Sequence, residues 1–190
     1  MTARWRERLG TGAVIGAAAA VTLAGWRGQW FLTDDAFIAF RYVSNARLGL
    51  GWVWNPPPFL PVEGYTSFLW LWLLRGAWAL GLEPPRAANL LSLAATLGSV
   101  GLCAAWIAAR RRRLRPPLGL ALALALPLGL LVGNACFLTW ASSGLETALF
   151  DLLYLAWVLA LLALPQRRAW LAVAAAVAAL LALCRPDGLL

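Results

Sequence analysis

The chain has 190 residues, of which 62% are hydrophobic and 13% charged, against roughly 25% charged in an ordinary soluble domain. A soluble fold of this length has too little interior for so much apolar surface, so the composition points to lipid as the solvent. The net charge of +8 rests on 16 basic residues, all arginine, and their position beside apolar runs argues for membrane anchoring and against nucleic-acid binding.

Arg4, Arg6 and Arg8 precede an apolar run from about Gly10 to Leu32 that is long enough to span. Arg27, between Trp26 and Trp30, falls in its outer interface. A cleavable signal peptide carries the same signature; either way, the chain after Leu32 lies outside. Thr33-Asp34-Asp35 opens a helix reaching about Leu48, with Thr33 as N-cap and Gly49 as its stop. Asp34, Arg41 and Asn45 share one face of it, with Asp35 and Tyr42 beside them. Phe37, Phe40 and Val43 are left for lipid or neighbouring spans. Gly51 to Asn55, followed by Pro56, Pro57 and Pro58, reads as an extended, rigid loop.

The run Phe68–Leu82 covers only ~23 Å as a helix and carries Arg75 in its middle. Were it a span, the next run would end with Arg110–Arg113 and Arg115 on the outer face, against the positive-inside rule. It therefore lies along or dips into the outer interface, anchored by Trp70, Trp72 and Trp78. Ala87–Ala109 then runs inward, 118–132 outward with a kink at Pro127, 147–164 inward to Arg167 and Arg168, and 169–184 outward. The expected architecture is all-α: a polytopic transmembrane helical bundle forming one domain over 1–190. Its spans fall at about 10–32, 87–109, 118–132, 147–164 and 169–184, and an outer loop at 33–86 holds interfacial helices. The chain ends at Leu190 within an apolar stretch and reads as the amino-terminal part of a longer protein. Cys103, Cys136 and Cys184 lack zinc or redox spacing and read as small apolar fillers.

On this topology Asp34, Asp35, Glu63, Glu83, Glu146 and Asp187 gather at the outer face, while Glu7 lies inside and Asp151 just within the fourth span. Helix-dipole stabilisation explains one first-turn acid comfortably and two less so. An acid pair with Arg41 at a membrane surface suits a phosphate-bearing lipid, since Arg grips phosphate and a carboxylate takes a proton. Glu63 before Gly64 is either a turn residue or returns a carboxylate, with Tyr65, toward the acid pair. Ser143 and Glu146 have the spacing of a capping box, a sufficient bland account of Glu146. Arg185-Pro186-Asp187-Gly188 ends its span with a turn, yet an Arg and an Asp at a membrane edge are costly if idle.

Six short motifs occur in order: Asp34-Asp35-Ala36-Phe37, Arg41-Tyr42, Asn55-Pro56, Val62-Glu63-Gly64-Tyr65-Thr66-Ser67, Gly144-Leu145-Glu146-Thr147 and Arg185-Pro186-Asp187-Gly188. The series resembles the C-type glycosyltransferases, in particular bacterial relatives of the terminal arabinofuranosyltransferases of actinobacterial cell walls. The resemblance implies transfer of a sugar such as arabinofuranose from a polyprenyl-phosphate donor to a glycan, lipid or protein acceptor of the cell envelope. The active face would be the extracytoplasmic side of a bacterial inner membrane. It places the catalytic acid on Asp34 or Asp35, and substrate or phosphate contacts on Arg41, Glu63, Tyr65, Glu146, Arg185 and Asp187. No cofactor is certain; some relatives use a divalent metal, for which Asp35 and Glu63 offer too few ligands to argue a site. Two departures stand out: Pro-Pro-Pro-Phe-Leu-Pro replaces a polar turn before Val62, and Ala148 replaces a usual proline after Glu146-Thr147. The relatives are also several times longer, so this stretch alone should be inactive. The alternatives are a transporter or flippase component, which should carry mid-membrane charges and internal symmetry, and a non-catalytic envelope scaffold, which should have lost the acid pair.

Overall fold

The structure, a computed structural model, describes residues 3–60, 62, 64–110, 119–165 and 167–189. Those residues form helices and loops with no strand. In chain order the helices are α1 (Ala3–Gly28), α2 (Asp34–Arg47), α3 (Phe68–Ala79), α4 (Pro84–Arg110), α5 (Leu120–Val132), α6 (Ala135–Trp140), α7 (Thr147–Ala163) and α8 (Ala169–Cys184). A 3-10 turn at Pro186–Leu189 follows. Glu63, Arg111–Arg113, Arg115 and Gln166 lie outside the described residues.

Helix α4 is the central wall. It packs against α1 and α5 on one side and α7 on the other, with α8 against α7. Its small residues allow close approach: Leu152 of α7 sits over Gly98, and Ala95, Ser99 and Ala104 are buried. Thr96 and Ser99 donate back to the carbonyls of Ser92 and Ala95, which keeps their hydroxyls satisfied inside an apolar interface. Helices α1 and α5 run parallel, since Gly10 meets Ala121 while Gly25 meets Leu138 farther along. Their seam holds Ala18, Leu124, Leu128 and Val132.

Two helices, Glu7–Gly28 and Pro84–Arg110, are long and apolar enough to cross a membrane; α5, α7 and α8 are apolar but shorter. Leu122, Leu126 and Leu130 of α5 and Leu171, Val173, Leu180 and Leu183 of α8 project outward. Such continuous apolar faces on one chain mark contact with lipid or further protein.

Several boundaries differ from the sequence reading. Helix α1 begins within the basic segment and stops at Gly28 rather than Leu32, because residues 29–33 are pulled against the loop before α7: Ser142 Oγ donates to the Gln29 carbonyl and the Thr33 amide to the Ser143 carbonyl. Helix α4 starts at Pro84, a residue suited to a first turn because its missing N–H has no partner there. The short α6 was not expected; Asn134 starts it by accepting from the amides of Cys136 and Phe137. Trp70, expected as an interfacial anchor, is instead a core residue, 1% exposed, packed with Tyr42, Leu71 and Leu74 where α2, α3 and α4 meet.

Candidate functional site

Helix α2 begins as its sequence requires. Thr33 Oγ1 accepts from the Ala36 amide at 3.2 Å, and Asp34 and Asp35 occupy the first turn, where the positive end of the helix favours acids. Ala36, Ala39, Phe40 and Val43 are buried against the bundle, so Asp35 and Ile38 are turned to a neighbouring space.

That space is a cavity of about 250 Å³ whose polar wall is formed by Asp35, Tyr65, Thr66, Ser67, Glu146 and Arg185. It lies at the end of the bundle where α2, α3 and α7 begin and α8 finishes. Four residues expected to act together, Asp35, Tyr65, Glu146 and Arg185, do line it. Asp187 joins at the rim, 3.5 Å from Arg185 Nη2. Tyr65 reaches the wall because the loop before it is tied to α2: Tyr42 Oη donates to the Val62 carbonyl at 2.6 Å, and the Tyr65 ring packs edge-on against Tyr42 at 4.5 Å. Glu63 lies outside the described residues.

Two expected site residues stand elsewhere. Arg41 and Asn45 share a helix face as expected, but that face meets the 53–55 loop. Arg41 Nε donates to the Trp54 carbonyl at 2.8 Å and its Nη2 to Asn55 Oδ1, while Asn45 Nδ2 donates to the Val53 and Trp54 carbonyls. The guanidinium also stacks over the Trp54 ring at 4.5 Å. Arg41 thus clamps an extended loop that has no regular partner of its own. Asp34 is exposed and accepts from the Asp35 amide at 3.1 Å; it does not line the cavity.

Glu146 owes its place to a loop the sequence concealed. Four successive carbonyls are each taken by a different donor: Ser142 by Asn89 Nδ2, Ser143 by the Thr33 amide, Gly144 by Trp70 Nε1 and Leu145 by Ser92 Oγ. Buried backbone needs such partners, and here they come from α3, α4 and the strap before α2. The capping box does not form: Glu146 is itself the N-cap of α7 and makes no side-chain cap bond, while Ser143 Oγ accepts from the Leu145 amide. The Glu146 carboxylate is left to the cavity, 3.6 Å from Arg185 Nε, with Ser67 on the same wall.

Burial pushes the Glu146 carboxyl above its ordinary value of 4.5, against the opposing pull of backbone hydrogen bonding, Arg185 and Ser67. A raised folded value means that its contribution to stability is fully present below pH 4.5 and is lost as pH rises through the folded value. Thermal melts of Glu146→Gln should therefore lack a component of the wild-type pH dependence in that window, the wild type weakening relative to the variant as pH rises. Parallel pH profiles would show that Glu146 is not held in this strained setting.

Among the described residues no group of three or more His, Cys, Asp or Glu side chains is placed to hold a metal ion. The groups in or beside the cavity able to meet an anion are Arg185 and the starts of α3 and α7, whose N-cap residues Ser67 and Glu146 make no side-chain cap bond. Beyond the Arg185–Asp187 pair a second cavity of about 220 Å³ runs between α7 and α8, walled by Phe150, Tyr154, Trp157 and Leu181 with Asp187 at its mouth. Comparison with protein-family models, with curated proteins and with solved structures finds no match for this chain.

Proposed function

We propose that the chain is part of a polytopic membrane glycosyltransferase that takes a sugar from a polyprenyl-phosphate donor at the outer face of a bacterial inner membrane. The observation that carries this reading is the placing of two unlike cavities on either side of the Arg185–Asp187 pair, Arg185 lining one and Asp187 the other. One is polar and carries a carboxylate, and the other is apolar and aromatic. A lipid-linked sugar phosphate has the same division, with an anionic sugar-bearing head on a hydrocarbon tail.

The roles follow from the chemistry of each group. Arg185, with the uncapped starts of α3 and α7, neutralises the phosphate as it leaves. Asp35 takes the proton of the acceptor hydroxyl while that oxygen bonds to the anomeric carbon, and the carbon–oxygen bond to phosphate breaks with its electron pair going to the lipid phosphate. A chain without histidine leaves this work to a carboxylate. Glu146 and Asp187 hold Arg185 until the phosphate arrives. The isoprenoid tail lies along Phe150, Tyr154 and Trp157, whose rings follow one another down α7 at 6.4 and 6.1 Å.

Support for the sidedness comes from the bundle's two ends. The cavity sits with the end of α1 and the start of α4, whereas Arg8, Arg110, Arg167 and Arg168 lie at the opposite helix ends. Arabinofuranose as the sugar, and an envelope glycan, lipid or protein as acceptor, belong to the family resemblance alone.

Binding of polyprenyl phosphate to the detergent-solubilised whole protein tests the reading. Arg185→Gln should weaken it by about 10- to 100-fold, the range expected when a charged partner of phosphate is lost. Unchanged affinity in a folded variant would remove the phosphate site and the proposal with it. Transport of the same lipid without sugar transfer would favour the flippase alternative.

A further inference from the structure

Helices α2 and α3 end alike. Each closes on Leu-Gly-Leu, Leu48-Gly49-Leu50 and Leu80-Gly81-Leu82, with the glycine at a positive φ of 78° and 93°. In both, the amides after the last turn return to its carbonyls: Leu48, Gly49 and Leu50 bond to Ser44, Ala46 and Asn45, and Leu80, Gly81 and Leu82 to Gly76, Trp78 and Ala77. The negative helix ends are therefore closed off by the backbone itself. Leucines in such a motif usually fold back on the helix, yet here they stand out, with Leu48 70%, Leu50 43%, Leu80 86% and Leu82 40% exposed.

Between these tips lies a cleft of about 260 Å³ lined by Arg47, Arg75, Trp78 and Ala79. Arg47 bridges the two helix ends, donating to the Trp78 carbonyl at 3.4 Å and stacking on the Trp78 ring at 4.3 Å. Arg75 stacks near Trp52 and Trp72 at 5.5 and 5.7 Å. Neither guanidinium has a carboxylate within ion-pair distance among the described residues. The dipole of α2 accounts for Arg47 in its last turn, but Arg75 lies inside α3 and has no such reason. Two unpaired cations held over tryptophan faces in one cleft attract an anion with several oxygens, and the flanking leucines require hydrocarbon.

We infer that this edge is a phospholipid site: Arg47 and Arg75 hold the headgroup phosphate of an anionic lipid, and the two Leu-Gly-Leu tips enter the acyl region beside it. The tryptophans then lie at the headgroup level, where indole rings concentrate. The site is separate from the cavity of Asp35 and Glu146 and serves to fix α2 and α3 flat against the bilayer. A soluble phosphate ester offers the same oxygens without the acyl chains, so the two sources are separable.

Native mass spectrometry of the detergent-solubilised protein supplies the test, with phosphatidylglycerol, diacylglycerol and glycerol phosphate as probes. Arg185 is intact in every sample, so differences between variants report this cleft. Phosphatidylglycerol should be retained at least tenfold more tightly than diacylglycerol. Arg47→Gln and Arg75→Gln should each weaken retention about fivefold and the pair about 30-fold, with helical circular dichroism unchanged. Leu48→Ser/Leu80→Ser, which keeps both arginines, should weaken phosphatidylglycerol alone. The inference fails if the double arginine variant holds phosphatidylglycerol as wild type does, or if wild type fails to prefer it over diacylglycerol. Glycerol phosphate bound as tightly as the lipid would assign the cleft to soluble esters and overturn the lipid assignment.

Discussion

Asparagine at position 35 should lower sugar transfer about 1,000-fold, the middle of the range for loss of a positioned general base, whereas asparagine at position 34 should leave most of it. The two acids are neighbours in sequence and both are exposed, but only Asp35 lines the cavity with Glu146 and Arg185. Asp34 bonds within the first turn of its own helix, where an amide oxygen accepts from the Asp35 N–H as well as a carboxylate does. The assay compares initial rates with a polyprenyl-phosphate sugar for the two variants, each first shown to insert and melt like wild type. A transfer rate for Asp35→Asn near that of wild type would strip Asp35 of its role. The reverse order, with Asp34→Asn the inactive one, would assign the chemistry to a different face of α2.

Alanine at position 144 should destabilise the protein by about 2–4 kcal/mol, combining the cost of a left-handed backbone with that of overpacking. Gly144 has φ 85°, and a Cβ there would sit 2.7 Å from Leu32 Cδ2 and 2.9 Å from Ala36 Cβ. The leucine tip has some freedom to turn away. Ala36 has none, because its Cβ is fixed to the first turn of α2 and is fully buried. Relief therefore requires α2 to shift, and Asp35 with it, so thermal stability and transfer should fall together. Gly76 is the control: nothing lies within 4 Å of its would-be Cβ and it sits inside α3, so Gly76→Ala should be neutral or slightly stabilising. A Gly144→Ala protein melting within a degree of wild type would mean that the loop is looser than its contacts indicate.

The contrast between these two glycines shows what the sequence could and could not reveal. The ends of α2 were legible because Thr33 and Gly49 act on their own neighbours, a hydroxyl on an amide three residues away and a backbone free to turn left-handed. The apolar runs were legible because a long hydrophobic stretch carries its meaning without a partner. Trp70 was misread since a tryptophan near a membrane has the same letter whether it faces lipid or core; its partner, the Gly144 carbonyl, is 74 residues away. Ser143 and Glu146 have the spacing of a capping box, but four distant donors hold that loop in another shape and free the Glu146 carboxylate. Arg41 satisfied every local criterion for a phosphate ligand and was captured by a proline-bounded loop whose carbonyls lacked partners. In each of these cases a long-range hydrogen bond to an irregular backbone segment decided the outcome, and such bonds leave no periodic trace.

The strap of carbonyls from Ser142 to Leu145 acts as an interlock. Its donors arrive from pieces of chain made at different times: Thr33, then Trp70, then Asn89 and Ser92, all before the strap itself is synthesised. The position of Glu146 therefore rests on contacts from all of these segments together. Asp35 and Glu146, more than a hundred residues apart in sequence, thus share one cavity only through packing between distant segments.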